Sequence, residues 1–184
     1  MQKIQTFLRN HPVGIGSALF TGLLRIIQAI NFAPVGALAV YSGARISGIG
    51  AFIVPIAVLI LTDWILGFTR YGVGTWTVTT LFVYGAFLIN ILAGRLLKKT
   101  ENAGAIVGLS VAGSIQFFLT TNLGVWLTSG MYSLDLAGLT TCFVAAIPFY
   151  RLTFVSDILF TCVLFLAHHF LAQRFSPAES IARA

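Results

Sequence analysis

Three ionisable residues stand inside otherwise apolar stretches of this sequence: Arg25, Asp63 and Asp157. An ionisable side chain within a membrane span is costly unless it is paired or hydrated, and it faces the bundle or a water-filled cavity more often than lipid. These residues could therefore bind a polar solute, or they could form an internal ion pair that fixes helix positions. Either role predicts that Arg25 lies within ion-pair reach of Asp157 or Asp63, because an unpaired charge at that depth is unfavourable.

Further polar and aromatic residues lie near the same ends of the apolar stretches. Amides and charges could contact a solute, and aromatic rings could cover its apolar surface. Each tryptophan taken alone also fits the interfacial aromatic belt. The predicted substrate-binding set is Arg25, Asn31, Asp63, Trp64, Arg70, Asn122, Trp126, Tyr132 and Asp157. All of these residues are expected in the outer half of the membrane, with no polar stripe continuing through the fourth and fifth spans. That pattern favours a pocket that is closed at its inner end.

The sequence has no recognisable catalytic or metal-binding motif. It lacks HExxH, GxSxG and P-loop patterns. His168 and His169 are adjacent, so on a helix they point about 100° apart and cannot both bind one metal from a single face. Cys142 and Cys162 form no CxxC pair. We expect no enzymatic activity, no cofactor and no metal.

The composition predicts an all-α polytopic membrane protein that forms a single transmembrane domain over residues 1–184. Mean hydropathy is +0.94, and only 9% of residues are charged. A bilayer accepts such a surface, whereas water does not. The six predicted spans are residues 13–30, 34–46, 48–68, 76–94, 103–121 and 152–171, of which the second is short. A further apolar piece at 136–149 belongs to a long, partly helical outer excursion over residues 120–151.

The distribution of Lys and Arg predicts the orientation, since these residues are more frequent in cytoplasmic loops. With six spans, most of them fall on one side: Lys3, Arg9, Arg45, Arg95, Lys98, Lys99, Arg174 and Arg183. The N-terminus (1–12) and the C-terminal tail (174–184) are therefore expected in the cytoplasm, with the protein in the inner membrane. This bias and anionic lipid headgroups account for the net charge of +6, so nucleic acid is not an expected partner.

Small residues form a smooth stripe on the first span. Gly14, Ala18 and Gly22 recur at four-residue spacing, which places them on one helix face. Such a stripe lets another helix approach closely. The approaching helix could belong to the same chain or to a partner protein that docks at the cytoplasmic end.

The helix pattern resembles the substrate-binding S component of energy-coupling-factor vitamin transporters, and also a poorly characterised family of small membrane proteins with that fold. The resemblance lies in a short second helix, a glycine-rich turn into a third helix ending in Asp, and a proline opening the last helix. The matching strings are NFAPVGALAVYSGARISGIGAFIVPIAVLILTDWILG (31–67), FFLTTNLGVWLTSGMYSLDLAGL (117–139) and AAIPFYRLTFVSDILF (145–160).

This resemblance implies uptake of a small vitamin-like solute, with a corrinoid such as cobalamin as the first candidate. It also implies that the stripe on the first helix docks an energy-coupling ATPase module; some relatives act alone. ATP would be bound by that partner and not by this chain. A cysteine thought to bind cobalt in one solitary branch has no counterpart in residues 67–84. The competing interpretation is a structural or assembly membrane protein whose outer polar cluster is a packing network.

Overall fold

The computed structural model describes residues 6, 11–27, 34–71 and 76–175 of the chain. All regular secondary structure in these residues is helical, in six α-helices: α1 Pro12–Ile27, α2 Val35–Arg45, α3 Gly50–Leu66, α4 Val78–Gly94, α5 Ala103–Thr128 and α6 Leu136–Phe175. A π-helical turn, Gly67–Tyr71, follows α3, and a 3-10 turn, Arg95–Leu97, follows α4. The all-α prediction is confirmed.

Local sequence signals explain several helix ends. Pro12 opens α1, where its missing N–H has no intrahelical partner to lose. Asn102 caps α5 by accepting the Ala105 N–H at 3.1 Å. The Asp135 carboxylate caps α6 by accepting the Gly138 N–H at 2.7 Å, and this bond and the Ser133 hydroxyl lower the pKa of Asp135. Gly130, in the turn between α5 and α6, has a φ of 70°, which favours glycine.

Helix α2 lies in the centre of the bundle. Nearly all of its side chains are buried, and it packs against the other five helices. Its 11 residues span about 17 Å, which is too short to cross a hydrocarbon core of about 30 Å. A short helix is tolerated at membrane depth because protein, and not lipid, surrounds its ends.

Within the described part of the chain, four helical segments are long and apolar enough to cross a membrane: Gly50–Thr69, Val78–Leu97, Ala103–Thr128 and Leu136–Leu171. The described part of α1 is a shorter apolar helix. The chain is therefore a multi-pass membrane protein, with six α-helices in the ranges that the structure describes. The prediction of six full spans is wrong for α2, whose length does not allow a full crossing.

The predicted boundary of the last helix is also wrong. The pieces at 136–149 and 152–171 are parts of one 40-residue helix, and Pro148 lies inside it instead of opening it. The predicted excursion over 120–151 consists of the end of α5, a turn at 129–135 and the beginning of α6. Membrane helices tolerate an internal proline because neighbouring groups satisfy the freed carbonyl.

The helix ends fall into two groups. At what we call the basic end, α1, α3 and α5 begin and α2, α4 and α6 end. Arg45 donates there to the carbonyls of Leu97 and Thr100, each at 2.8 Å, and His169 lies 3.0 Å from Glu101. At the opposite end, which we call the hairpin end, Thr79 and Thr128 share a 2.8 Å hydrogen bond. The described residues confirm that Arg45, Arg95, Lys98 and Lys99 share one end; its cytoplasmic location stays a prediction.

Two glycines allow α2 and α4 to approach closely. A Cβ on Gly43 would overlap the Ile91 carbonyl oxygen, and a Cβ on Gly94 would overlap the Val40 carbonyl oxygen. We expect Gly43→Ala and Gly94→Ala each to destabilise the protein by about 1–3 kcal/mol, because the two backbones must move apart. The measurement is the melting temperature in detergent. Gly108→Ala is the control, since a Cβ there meets nothing within 4 Å. Equal melting of Gly43→Ala and the control would contradict this account.

Candidate functional site

Arg25 and Asp63 form an ion pair between α1 and α3. Arg25 Nη2 lies 2.7 Å from Asp63 Oδ1, and about a fifth of each side chain is exposed. The prediction that Arg25 pairs with Asp63 or Asp157 is therefore confirmed, with Asp63 as the partner. Arg25 also donates to Thr62 Oγ1, and Tyr84 on α4 donates to Asp63 Oδ2 at 2.7 Å. Both charges are satisfied by neighbouring side chains, so this network ties three helices together without a ligand.

Asp157 is the more unusual acid. It lies on α6 and is only 4% exposed, and no cation pairs with it among the residues that the structure describes. Its carboxylate packs directly on Gly36, where a Cβ would overlap Oδ1. The backbone N–H of Ala37 lies beside the carboxylate. Asp157 thus faces the first turn of α2, whose positive dipole end favours a negative charge.

Three side-chain oxygens around Asp157 lack hydrogen bonds of normal geometry. They are Asp157 Oδ1, Ser114 Oγ and Tyr150 OH, and all three are buried. Ser114 on α5 lies next to both other residues. A buried polar atom without a partner is unfavourable by about 1–3 kcal/mol, and an additional water or ion is one physical explanation of such atoms in native structures. We refer to Asp157, Ser114 and Tyr150 as the oxygen cluster.

A layer of further polar residues continues from the oxygen cluster across the bundle. Ser110 on α5 lies 3.1 Å from Thr161 Oγ1 and donates to the Asp157 carbonyl at 3.2 Å. Asn90 on α4 is 2% exposed and donates to the Gly113 carbonyl at 3.3 Å. Asn90 and Ser110 stand on α4 and α5, so each of the two spans in which no continuous polar stripe was expected carries at least one buried polar residue.

The oxygen cluster lies near the middle of the bundle. Ser114 is about 17 Å along α5 from Ala103 and about 21 Å from Thr128. The prediction that Asp157 belongs to the outer half is therefore corrected to a central position. The sequence placed Asp157 near the outer start of the predicted span 152–171, but α6 begins at Leu136 and carries Asp157 deep into the bundle.

The other predicted site residues do not gather around Asp157 or Arg25. Trp64 is 60% exposed and contacts Phe68, as expected of an interfacial aromatic residue. Trp126 donates to the Ser133 carbonyl at 2.9 Å in the turn between α5 and α6, where Tyr132 also lies. Asn122 donates back to Phe118 on its own helix at 2.7 Å. The side chains of Asn31 and Arg70 lie outside the described residues.

The small-residue stripe of α1 faces other helices of the same chain. A Cβ on Gly14 would contact Ile46, and a Cβ on Gly22 would contact Thr62 and Val58 on α3. Ala18 is 9% exposed. These contacts are those of packing within the chain. A docking role for Gly14, Ala18 and Gly22 stays a prediction without a contact to support it.

Sequence reasoning missed Ser114, Ser110, Asn90, Tyr150 and Thr161. A usable signal was present, because Ser110 and Ser114 are four residues apart, as are Asp157 and Thr161, so each pair lies on one helix face. Two such faces on consecutive apolar helices indicate a shared polar layer.

Comparison with known proteins gives one family and one distant relative. A family model described as "Family of unknown function (DUF6580)" matches residues 5–179. A stretch of 123 residues, 65% of this chain, is 32% identical to the potassium-transporting ATPase potassium-binding subunit of Solibacter usitatus (strain Ellin6076). This stretch covers 21% of that protein, so the chain spans about a fifth of the length of the curated relative it matches. No solved structure matches the chain.

Proposed function

We propose that this chain, which belongs to the Family of unknown function (DUF6580), is a membrane transport protein that carries a monovalent cation past Asp157. The observation that supports the proposal is the oxygen cluster, a buried carboxylate beside two hydroxyls, in which each residue has an oxygen that lacks a hydrogen bond of normal geometry. Intramembrane ionisable residues that face a bundle interior mark ion and substrate pathways. An ion held between these oxygens would satisfy all three.

The chemistry of the cluster supports a hard, singly charged ion. Its atoms are carboxylate and hydroxyl oxygens, which prefer hard cations over softer metals. Calcium takes six to eight oxygen ligands and is usually held by several carboxylates, and magnesium also retains several waters. Asp157 brings a single negative charge, which balances one monovalent ion. The hydroxyls of Ser114 and Tyr150 can turn their lone pairs toward such an ion.

The name of the relative supports potassium as the first ion to test. That protein is a potassium-binding subunit, and the match covers about a fifth of it. The transport proposal needs no covalent chemistry and no ATP site on this chain. Any coupling to ATP would come from a partner.

A second candidate is the vitamin-like solute that the S-component resemblance implies, with a corrinoid as the first guess. This candidate is supported by the helix pattern of the described residues, which form six helices with a second helix of 11 residues. In this candidate the solute enters at the hairpin end and contacts Arg25, Asp63 and the aromatic residues, and both termini lie in the cytoplasm. We rank it second because Arg25 and Asp63 satisfy each other and the Trp64 side chain is mostly exposed.

The competing class, a structural or assembly protein, applies best to the Arg25–Asp63 network. It leaves out the oxygen cluster, in which the buried Asp157 carboxylate has no cation partner among the described residues.

The test of the proposal is potassium entry into liposomes that contain the purified full-length chain. We expect influx above that of protein-free liposomes, and weaker influx of the divalent ion calcium. Influx of a corrinoid without potassium influx would favour the second candidate, and influx of neither solute would contradict both.

A further inference from the structure

A groove opens between the first turns of α5 and the last turns of α6, at the basic end. Its volume is about 400 Å³. The walls are mostly apolar and include Ile106, Val107, Phe165 and Leu166, whereas Arg45, Glu101 and His169 lie at its polar part. The groove is separate from the oxygen cluster, so an inference from it does not depend on the proposed transport function.

The polar part of the groove is fixed in place. Arg45 donates to three backbone carbonyls, those of Leu97, Lys98 and Thr100, and its guanidinium lies 5.0 Å from the Phe165 ring. His169 lies 3.0 Å from Glu101. Arg45 Nη2 also lies 3.8 Å from Glu101 Oε1, so these contacts hold a cation and its counter-charge at the junction between the apolar walls and the surface.

The surroundings of the groove are positively charged. Lys98 and Lys99 are exposed in the turn that precedes Glu101. Together with Arg45, they give this region three positive charges, which outnumber the single negative charge of Glu101. The first turn of the 26-residue helix α5, which begins beside the groove at Ala103, adds the partial positive charge of a helix N-terminus.

We propose that this groove binds an acidic phospholipid, with an acyl chain along the apolar walls and the phosphate near Lys98 and Lys99. An apolar wall next to a positively charged surface complements an amphiphile with an anionic headgroup. The groove also lies at the end of membrane-spanning helices, where headgroups of one leaflet are found. Basic pockets between transmembrane helices are known to bind acidic headgroups.

The experiment uses the purified full-length chain in a neutral detergent. Phosphatidylglycerol, phosphatidylcholine or glycerol 3-phosphate is added, and the melting temperature is measured. A ligand that binds only the folded state raises that temperature. We expect phosphatidylglycerol to raise it by several degrees more than phosphatidylcholine, and glycerol 3-phosphate to leave it unchanged. Equal shifts from the two lipids would overturn the acidic-headgroup proposal, and a full shift from glycerol 3-phosphate would indicate a soluble anion instead.

Two sets of variants locate the effect. Cys162→Trp places a large side chain in the groove, whereas Val163→Trp alters the next residue, which is 48% exposed and does not line the groove. We expect the first to lose the phosphatidylglycerol-specific shift and the second to keep it. Lys98→Gln with Lys99→Gln changes only exposed side chains, so the fold is retained, and the shift should decrease. An unchanged shift in the lysine double variant would overturn the proposal even if Cys162→Trp fails to fold.

Discussion

A protein carrying Asp157→Asn is expected to lose the potassium-dependent rise in melting temperature that the wild-type chain should show. The substitution keeps the shape of the side chain and removes the only charge in the oxygen cluster. At a potassium concentration of 100 times Kd, a single site that binds only the folded state stabilises it by about 2.7 kcal/mol. The loss should therefore be on the order of 2–3 kcal/mol at that concentration.

The measurement compares melting in potassium chloride and choline chloride at equal ionic strength. Asp135→Asn is the control, because it removes a carboxylate at the hairpin end and leaves asparagine, which also caps helices well. We expect the control to keep the full potassium effect. Ser114→Ala and Tyr150→Phe each remove one oxygen, and they should weaken the potassium affinity while the fold is retained. A full potassium effect in all three cluster variants would refute the site.

Arg25→Met is expected to destabilise the fold by about 2–4 kcal/mol, because it leaves Asp63 charged and without its partner. Breaking a buried ion pair usually costs about 3–5 kcal/mol, and solvent reduces this range when part of the pair is exposed. Here 22% and 20% of the two side chains are exposed. The double variant Arg25→Met with Asp63→Leu removes both charges and should regain most of the lost stability.

Melting temperatures of the single and double variants in the same detergent test this expectation. Tyr84→Phe is the control, since it removes one donor to Asp63 and leaves the ion pair in place. A single variant as stable as the wild type would show that the pair does not fix the helices. Loss of potassium binding in the double variant would place the pair on the ion pathway and contradict its purely architectural role.

Much of the fold followed from the sequence because apolar runs and charges define membrane helices well. Helices α3, α4 and α5 begin within two residues of the predicted spans. The last helix was harder to predict, because Pro148 and Arg151 resemble a helix boundary in the sequence, whereas the helix continues through both of them. The central position of α2 also depends on packing, which its sequence alone does not reveal.

The charged part of the candidate site could be predicted from the sequence. The part that consists of hydroxyl groups could not. Arg25 required an acid, and Asp63 stands at the matching depth on α3. The hydroxyls around Asp157 do not require a particular partner in the way that a charge does, because Ser and Thr in membrane helices often serve only close packing. The contact of Asp157 with Gly36 depends on the placement of α2, which brings residues far apart in sequence together.

The most direct test of the central claim is potassium influx into liposomes that contain equal amounts of wild-type, Asp157→Asn or Asp135→Asn protein. The account predicts influx for the wild type and Asp135→Asn, and influx no greater than that of protein-free liposomes for Asp157→Asn. Potassium influx through Asp157→Asn at the wild-type rate would contradict it.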